Sequence, residues 1–493
     1  MGKTIKRKSK FNNTLCNNNM TFEECELTIL RQAVDDTEEL QGQKKVNSKE
    51  IQDMLKIVED FIINKKLVCY GGTAINNILP KYAQFYKRDI EIPDYDFFSD
   101  NALDDAKELA DIYFKAGYTE VEAKSGVHYG TFKVFVNFIP IADITYLHKD
   151  IYKAISKDSI QIAGIKYAPP DYLRMAMYLE LSRPAGDVSR WEKVMKRLAI
   201  MNKYHPMKTN KNCYNIDFSK NIDIKMPQEE KLHYLLRDIF IDSGAVFFGG
   251  YSTYLYSKYM NDKRKNLVDK IPDFDIISED IEKSALIVKE RLQRENFKNI
   301  KIIKHKEIGE IIPKHIEIKV GKCSMAFIYE PIACHSYNEI TIDSKTVKVA
   351  TIDTILAFYL SFLYANMPHY DKDRLLCIAL FLFNTEQQNR LEQKGILKRF
   401  SINCYGKQTS LEDIRSTKSE KFKEFKESKI SRDSKEYQMW FLRYNPNDIE
   451  EKNEKITKNL VEKSVKNKTR KRTIKDKSPK EHPILALIRK QNL

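Results

Sequence analysis

The sequence predicts an α+β protein in which one unit, a mixed sheet with flanking helices, occurs twice. Three observations lead there. Apolar residues switch between helical and strand periods along the first half. Short motifs recur in the same order at an offset of roughly 180 residues, a spacing that suits a duplicated domain and not a solenoid. A length of 493 residues with 42% hydrophobic content leaves room for two or three cores and excludes a disordered chain.

Residues 1–65 are expected to form a flexible basic arm and N-terminal helices. Met1 to Met20 is basic and Asn-rich with no apolar period. Thr21 followed by Glu24 makes a capping box, and Ile51, Met54, Leu55, Val58, Phe61 and Ile62 fall on one helical face. Residues 66–215 make the first unit. An apolar run from Leu67 to Tyr70 meets the turn Gly71-Gly72, a helix near Thr73 to Leu79 and a strand-like Asp94 to Phe98. A helix from Asn101 to Ala116 and an alternating stretch from Thr131 to Leu147 complete it.

Residues 216–390 repeat this order. CYGGT (Cys69 to Thr73) returns as FFGGY (Phe247 to Tyr251), and IPDYDFFS (Ile92 to Ser99) as IPDFDIIS (Ile271 to Ser278). Ala168 to Leu173 is echoed by Ala350 to Ile355, and Ser189-Arg190 by Asp373-Arg374. The apolar stretches Thr354 to Met367 and Leu375 to Phe383 fall short of the ~20 residues a bilayer requires and read as buried helices. Residues 391–450 form a C-terminal extension in which Arg399, Phe400, Trp440 and Tyr444 mix basic with aromatic side chains, either a base-stacking surface or ordinary packing. Residues 451–493 are a disordered basic tail, almost free of apolar residues from Lys463 to Lys480.

Lys and Arg outnumber Asp and Glu by 84 to 69, a net charge of +15, which favours a polyanionic partner. With no spanning segment, RNA is preferred over an anionic membrane. The eight cysteines are scattered without a CxxC pair or zinc-ligand spacing, so reduced thiols in a reducing compartment and no structural zinc are expected. The opening MGKTIKRKSKFNN lacks the apolar core of a signal peptide, so secretion is not expected.

The chemistry is concentrated in the first unit. Asp94 and Asp96, two apart on a strand, project from the same face with Tyr95 on the other. Anions this close need cations, and two divalent ions, Mg²⁺ or Mn²⁺ by the oxygen-only ligand set, meet that need. Asp143, in an apolar strand where a lone carboxylate is costly, completes a candidate catalytic and metal-binding triad. Gly71, Gly72 and Thr73 at a strand-to-helix turn let backbone amides approach phosphate oxygens. Arg190 and Lys193, with Arg197 ranked lower, share a helical face suited to a triphosphate.

Gly71-Gly72-Thr73, Asp94-x-Asp96 and the later Asp143 together resemble the polymerase-β-like nucleotidyltransferase superfamily. More narrowly, CYGGTAINNILP, the IPDYDFFS block and VNFIPIADITYL look like the catalytic poly(A) polymerase subunits of large cytoplasmic DNA viruses, the poxvirus-like and giant-virus group. The resemblance covers roughly Asn47 to Phe383 and implies that both units are nucleotidyltransferase-like, the second degenerate. It implies metal-binding catalytic carboxylates at Asp94, Asp96 and Asp143, ATP as donor, an mRNA 3′ end as acceptor, and action in the cytoplasm of an infected host cell (the virus factory), with packaging in the virion as a second location.

The second copy is expected to be inactive. Aligning Tyr146 with Tyr329 sets Ala326 opposite Asp143, which leaves Asp273 and Asp275 as relics in a scaffold or RNA surface. A homodimer is expected because a second basic surface helps hold a growing tail, with a separate processivity partner as the alternative. Another RNA-tailing or small-molecule nucleotidyltransferase, or a non-catalytic RNA-binding subunit, are the competing functions.

Overall fold

The computed structural model describes residues 15–17, 19–87, 90–209, 211–216, 229–268 and 272–448. The basic tail at 451–493 and most of the basic arm lie outside the described residues. β1 (Val68–Cys69), β2 (Tyr95–Ser99), β3 (Val121–Ser125), β4 (Thr131–Val136), β5 (Ile139–Tyr146), β6 (Ile160–Ile162) and β7 (Ile165–Tyr167) build the first sheet. β8 (Val246–Phe247), β9 (Phe274–Ile277), β10 (Ile300–His305), β11 (His315–Val320), β12 (Cys323–Tyr329), β13 (His335–Ile342), β14 (Lys345–Ala350) and β15 (Cys404–Tyr405) build the second, and β16 (Arg443–Tyr444) returns to the first.

The first sheet has the order β16-β3-β4-β5-β2-β1-β7-β6 and the second β10-β11-β12-β9-β8-β14-β13-β15. Without the last strand each has gained, β16 on one and β15 on the other, the two orders correspond strand for strand. The directions correspond as well: β1 is antiparallel to β2 and parallel to β7, as β8 is to β9 and β14, while β2 runs parallel to β5 as β9 does to β12. The duplication read from two short motifs is therefore a duplication of the whole sheet.

Local sequence accounts for most elements. The Thr21/Glu24 capping box opens the helix Phe22–Val46, and Ser48 caps the helix Lys49–Lys65. The second of these buries Ile51, Met54, Val58, Phe61 and Ile62, the stripe its spacing predicts, against the sheet. The helix after the double glycine is Gly71–Ile78, two residues earlier than expected. The run from Thr131 to Leu147 is two strands, because Asn137 and Phe138 both take left-handed backbone angles and make a two-residue hairpin turn without glycine.

The Asp171 and Asp353 echo has a structural meaning. Each begins one of two helices, Pro170–Leu181 and Ile352–Phe362, that pack on each other at the junction of the units. Each carboxylate holds a buried guanidinium: Asp171 pairs with Arg174, and Asp353 with Arg399 at 2.7 Å. Arg399 also pairs with Glu386, so it is committed to the core. In the extension, Tyr437 and Phe441 pack around Phe425, while Trp440 lies against Tyr129. Ordinary packing is thus what most of these aromatics do.

One expectation fails. Six of the eight cysteines form disulfides, Cys16–Cys25, Cys213–Cys377 and Cys334–Cys404, with Cα separations of 5.1–5.4 Å, and only Cys69 and Cys323 stand outside these pairs as buried thiols. Two of the three pairs join residues 164 and 70 apart, so spacing along the chain carries no sign of them. Among the described residues no helix is long and apolar enough to cross a membrane.

Candidate active site

β1 runs directly into the helix Gly71–Ile78, and the first glycine is needed there on two counts. Its φ is +72°, and a Cβ on it would stand 2.7 Å from Asp96 Oδ2. A Cβ on Gly72 would lie 2.6 Å from the Tyr86 hydroxyl and 3.0 Å from Arg197 Nη2. Thr73 donates its hydroxyl to the Asp94 carbonyl at 2.7 Å, which pins the strand carrying the acids to the helix N-terminus. The Thr73 hydroxyl thus positions Asp94.

Asp94 just precedes β2 and Asp96 lies within it, with fully buried Tyr95 between them on the opposite face. In the parallel register of β2 and β5, Asp96 stands opposite Asp143. On the other side of β5, Lys133 of β4 stands opposite Asp143 and forms an ion pair with it. The three acids chosen from the sequence are thus brought together at one edge of a cleft.

Their mutual repulsion is evident in their acidities. Burial, then the negative charges of Asp94 and Asp143, push Asp96 up to about 7, with Lys133 and Arg190 only partly offsetting this. Burial and Asp143 push Asp94 upward too. A buried acid cluster of this kind fits divalent cations, which would remove the repulsion. With Asp143 held by Lys133, no group of three or more His, Cys, Asp or Glu side chains among the described residues is set at metal-holding separation. The donor set fits, and loading it requires Asp143 to leave Lys133.

The cleft is lined by Gly72, Thr73, Asn76, Tyr86, Asp94 and Asp96, among others. Asn76 orders its far wall by accepting the backbone N–H groups of Phe85 and Tyr86, both at 2.8 Å. Of the three basic residues, Arg197 comes nearest the glycine turn: it donates to the Tyr86 hydroxyl at 2.5 Å and lies over the Phe85 ring. Arg190 pairs with Glu180 at 3.2 Å and its charge reaches Asp96. Lys193 is exposed to solvent. Lys133, Tyr86 and Asn76 had no motif to mark them, although a lysine inside an alternating strand next to an acid-bearing one is a usable sign.

The second unit repeats the geometry with different chemistry. Asp275 occupies the Asp96 position, but its partner across the parallel strands is Phe327, while Ala326 lies opposite Phe274 as Ala142 lies opposite Tyr95. The residue replacing Asp143 is therefore Phe327 and not Ala326. Matching the two tyrosines slipped the alignment by one residue, and a one-residue slip exchanges the faces of a strand. Glu317 takes the place of Lys133, opposite Phe327.

Residues 56–187 match the family model described as poly(A) polymerase catalytic subunit. The proposed poly(A) polymerase catalytic subunit of African swine fever virus is 34% identical over 170 residues, which are 33% of this chain and 35% of the relative. That of Acanthamoeba polyphaga mimivirus is 33% identical over 196 residues, 37% of this chain and 30% of the relative. The chain thus spans about a third of the length of the relatives it matches. The crystal structure of the Megavirus polyadenylate synthase superposes with a TM-score of 0.72 at 22% identity, covering 90% of this chain and 89% of that one. The chain is a relative of the poly(A) polymerase catalytic subunits of large DNA viruses, similar to them in sequence over its first unit and to the Megavirus protein in fold over nine-tenths of its length.

Proposed function

We propose that this chain adds adenylate from ATP to RNA 3′ ends, releasing pyrophosphate, with Asp94, Asp96 and Asp143 as its catalytic and metal-binding residues. The observation that carries the proposal is the register of β2 and β5, which sets Asp96 against Asp143 beside the Gly71–Thr73 turn. Two divalent ions, Mg²⁺ or Mn²⁺, would when bound lower the pKa of the attacking 3′ hydroxyl and neutralise the leaving pyrophosphate. Asp94 and Asp96 bridge both ions, and Asp143, exchanging Lys133 for a cation, lies where it can take the hydroxyl proton. Backbone amides at the N-terminus of the helix Gly71–Ile78 face the phosphates, and Arg197 and Arg190 supply positive charge to them. Thr73 acts by positioning Asp94.

The same reading includes host cytoplasm as the place of action and a homodimer as the working form. The dimer is supported by the helix Phe22–Val46, which buries only Val46 and exposes Phe22, Leu27, Leu30, Val34 and Leu40. Incorporation of each of the four nucleoside triphosphates onto an unlabelled RNA primer, with Mg²⁺ or Mn²⁺, tests the function. Selective, metal-dependent incorporation of ATP is expected; preference for CTP or UTP, or transfer only to small molecules, would overturn it.

A further inference from the structure

The second unit retains the cleft whose counterpart holds the candidate active site, but lines it for a different ligand. It encloses about 820 Å³ of space open to solvent, and its lining includes Gly250, Asp273 and Asp275 in the positions of Gly72, Asp94 and Asp96. The other walls are aromatic. Phe362 and Tyr370 stack at 4.2 Å with their planes 8° apart, and the Tyr370 hydroxyl is tethered to that of Tyr329 at 3.0 Å. Tyr359 and Phe381, each at most 4% exposed, close the floor.

What has been exchanged is the machinery for phosphate. Phe381 follows Arg374 at the interval by which Arg197 follows Arg190, so a ring stands where the first unit has the guanidinium beside its glycine turn. Glu317 replaces Lys133 and Phe327 replaces Asp143. Arg374 remains, with Nη2 donating to the His369 carbonyl at 3.1 Å. Two carboxylates at the glycine turn with a third acid behind them repel phosphate. Flat, tethered rings offer a stacking face, and carboxylates accept the amino and ring N–H protons that purines present.

We propose that this cleft binds a purine base presented without its phosphates. The base comes either from a free nucleoside or from a nucleotide of the RNA tail; the tail as source rests on the proposed function, while the base site itself does not.

Equilibrium dialysis of labelled adenosine against the full chain in EDTA tests the site. One adenosine per chain is expected, with ATP held at least about tenfold more weakly, a difference of about 1.4 kcal/mol. Ile378→Trp, which fills the cleft, should weaken adenosine at least about tenfold, and Asp94→Asn should leave it unchanged. Equal adenosine affinity in wild type and Ile378→Trp, loss of binding in Asp94→Asn, or tighter binding of ATP than of adenosine would overturn the proposal. Photocrosslinking of 8-azidoadenosine to the wild-type chain needs no variant to fold. Label on peptides carrying Tyr359 or Tyr370 is expected, and label confined to residues 70–96 would overturn the site. Oligoadenylate affinity that falls in Ile378→Trp assigns the base to the tail; affinity that does not fall assigns it to free nucleoside. A wild-type chain that binds adenosine yet incorporates no ATP would overturn the proposed function alone.

Discussion

Asp96 and Asp143 face each other across the parallel strands β2 and β5, and the same two positions in the second sheet hold Asp275 and Phe327. One substitution at a shared register position thus separates a cleft with three converging carboxylates from one with two.

The metal-free triad should cost stability that activity requires. Asp96 sits near 7 in the fold against an ordinary 3.8, a raised carboxylate whose stabilising contribution is present below the unfolded value and is lost as pH rises through about 7. Asp96→Asn should therefore melt higher than wild type in EDTA at pH 8, with the gap closing toward pH 4. Saturating Mg²⁺ should raise the wild-type melting temperature, about 2.7 kcal/mol of linkage at one hundred times Kd, and barely move the variant. Each of Asp94→Asn, Asp96→Asn and Asp143→Asn should lower ATP incorporation by about 100-fold or more. A triple-Asn chain that still adds adenylate would remove these residues from the mechanism.

Arg197 should matter more than Lys193 for nucleotide binding. Arg197 lies against the Gly72 turn through Tyr86, whereas Lys193 is exposed. Loss of one charged hydrogen bond, about 1.5–3 kcal/mol, should raise the KM for ATP about tenfold or more in Arg197→Met, with little change for Lys193→Met. Steady-state kinetics giving the opposite ranking would return the triphosphate to the outer face of the helix Trp191–Tyr204.

Asp273→Asn should leave ATP incorporation near wild type. With Phe327 in the place of the third acid, the second unit has too few oxygen ligands for an ion pair. A folded Asp273→Asn chain as inactive as Asp94→Asn would show a second working site.

The second unit should be the acid-labile half. Burial holds His233 and His315 down at about 4 and His335 at about 3, with Arg237 and Arg183 adding to the effect for the first and last. Histidines depressed in the fold bind more protons when unfolded. The stability each contributes is full above its unfolded value near 6.5 and is lost as pH falls toward its folded one, at up to about 1.4 kcal/mol per pH unit. Urea midpoints should fall between pH 6.5 and 4, and hydrogen exchange should report opening of the second sheet first. A midpoint flat across that range would mean that the three rings are solvated.

Light scattering should give twice the chain mass at micromolar concentration. Leu30→Glu with Val34→Glu, on the exposed stripe of the helix Phe22–Val46, should yield monomers that still extend a primer. A wild-type monomer would point to a separate partner.

The site was legible because charge in an apolar strand is expensive: Asp94, Asp96 and Asp143 stand out against Tyr95, Phe97 and Ile144, all fully buried. The duplication was legible for the same reason, since the glycine turn and the paired acids survive in both copies. Features set by three-dimensional juxtaposition were not. The Asn137-Phe138 turn has no glycine to announce it, and the Cys213–Cys377 pair has no local spacing. The counterpart of Asp143 depended on a register that two matching tyrosines misstate. Arg197 ranked below Lys193 because helical spacing gives a face without saying which of its residues reaches the turn.

The last described strand, β16, pairs Arg443 with Lys124 on the outer edge of the first sheet, while β15 closes the far edge of the second. During synthesis the first unit therefore leaves the ribosome with a raw edge at β3 and stays so until the second unit and its extension have been made. An open strand edge invites pairing with whatever strand comes next, and the next sheet to emerge has the same strand order. The extension thus acts in time as well as in space, as a late clasp that ends the interval in which one half of the chain could be built into the other.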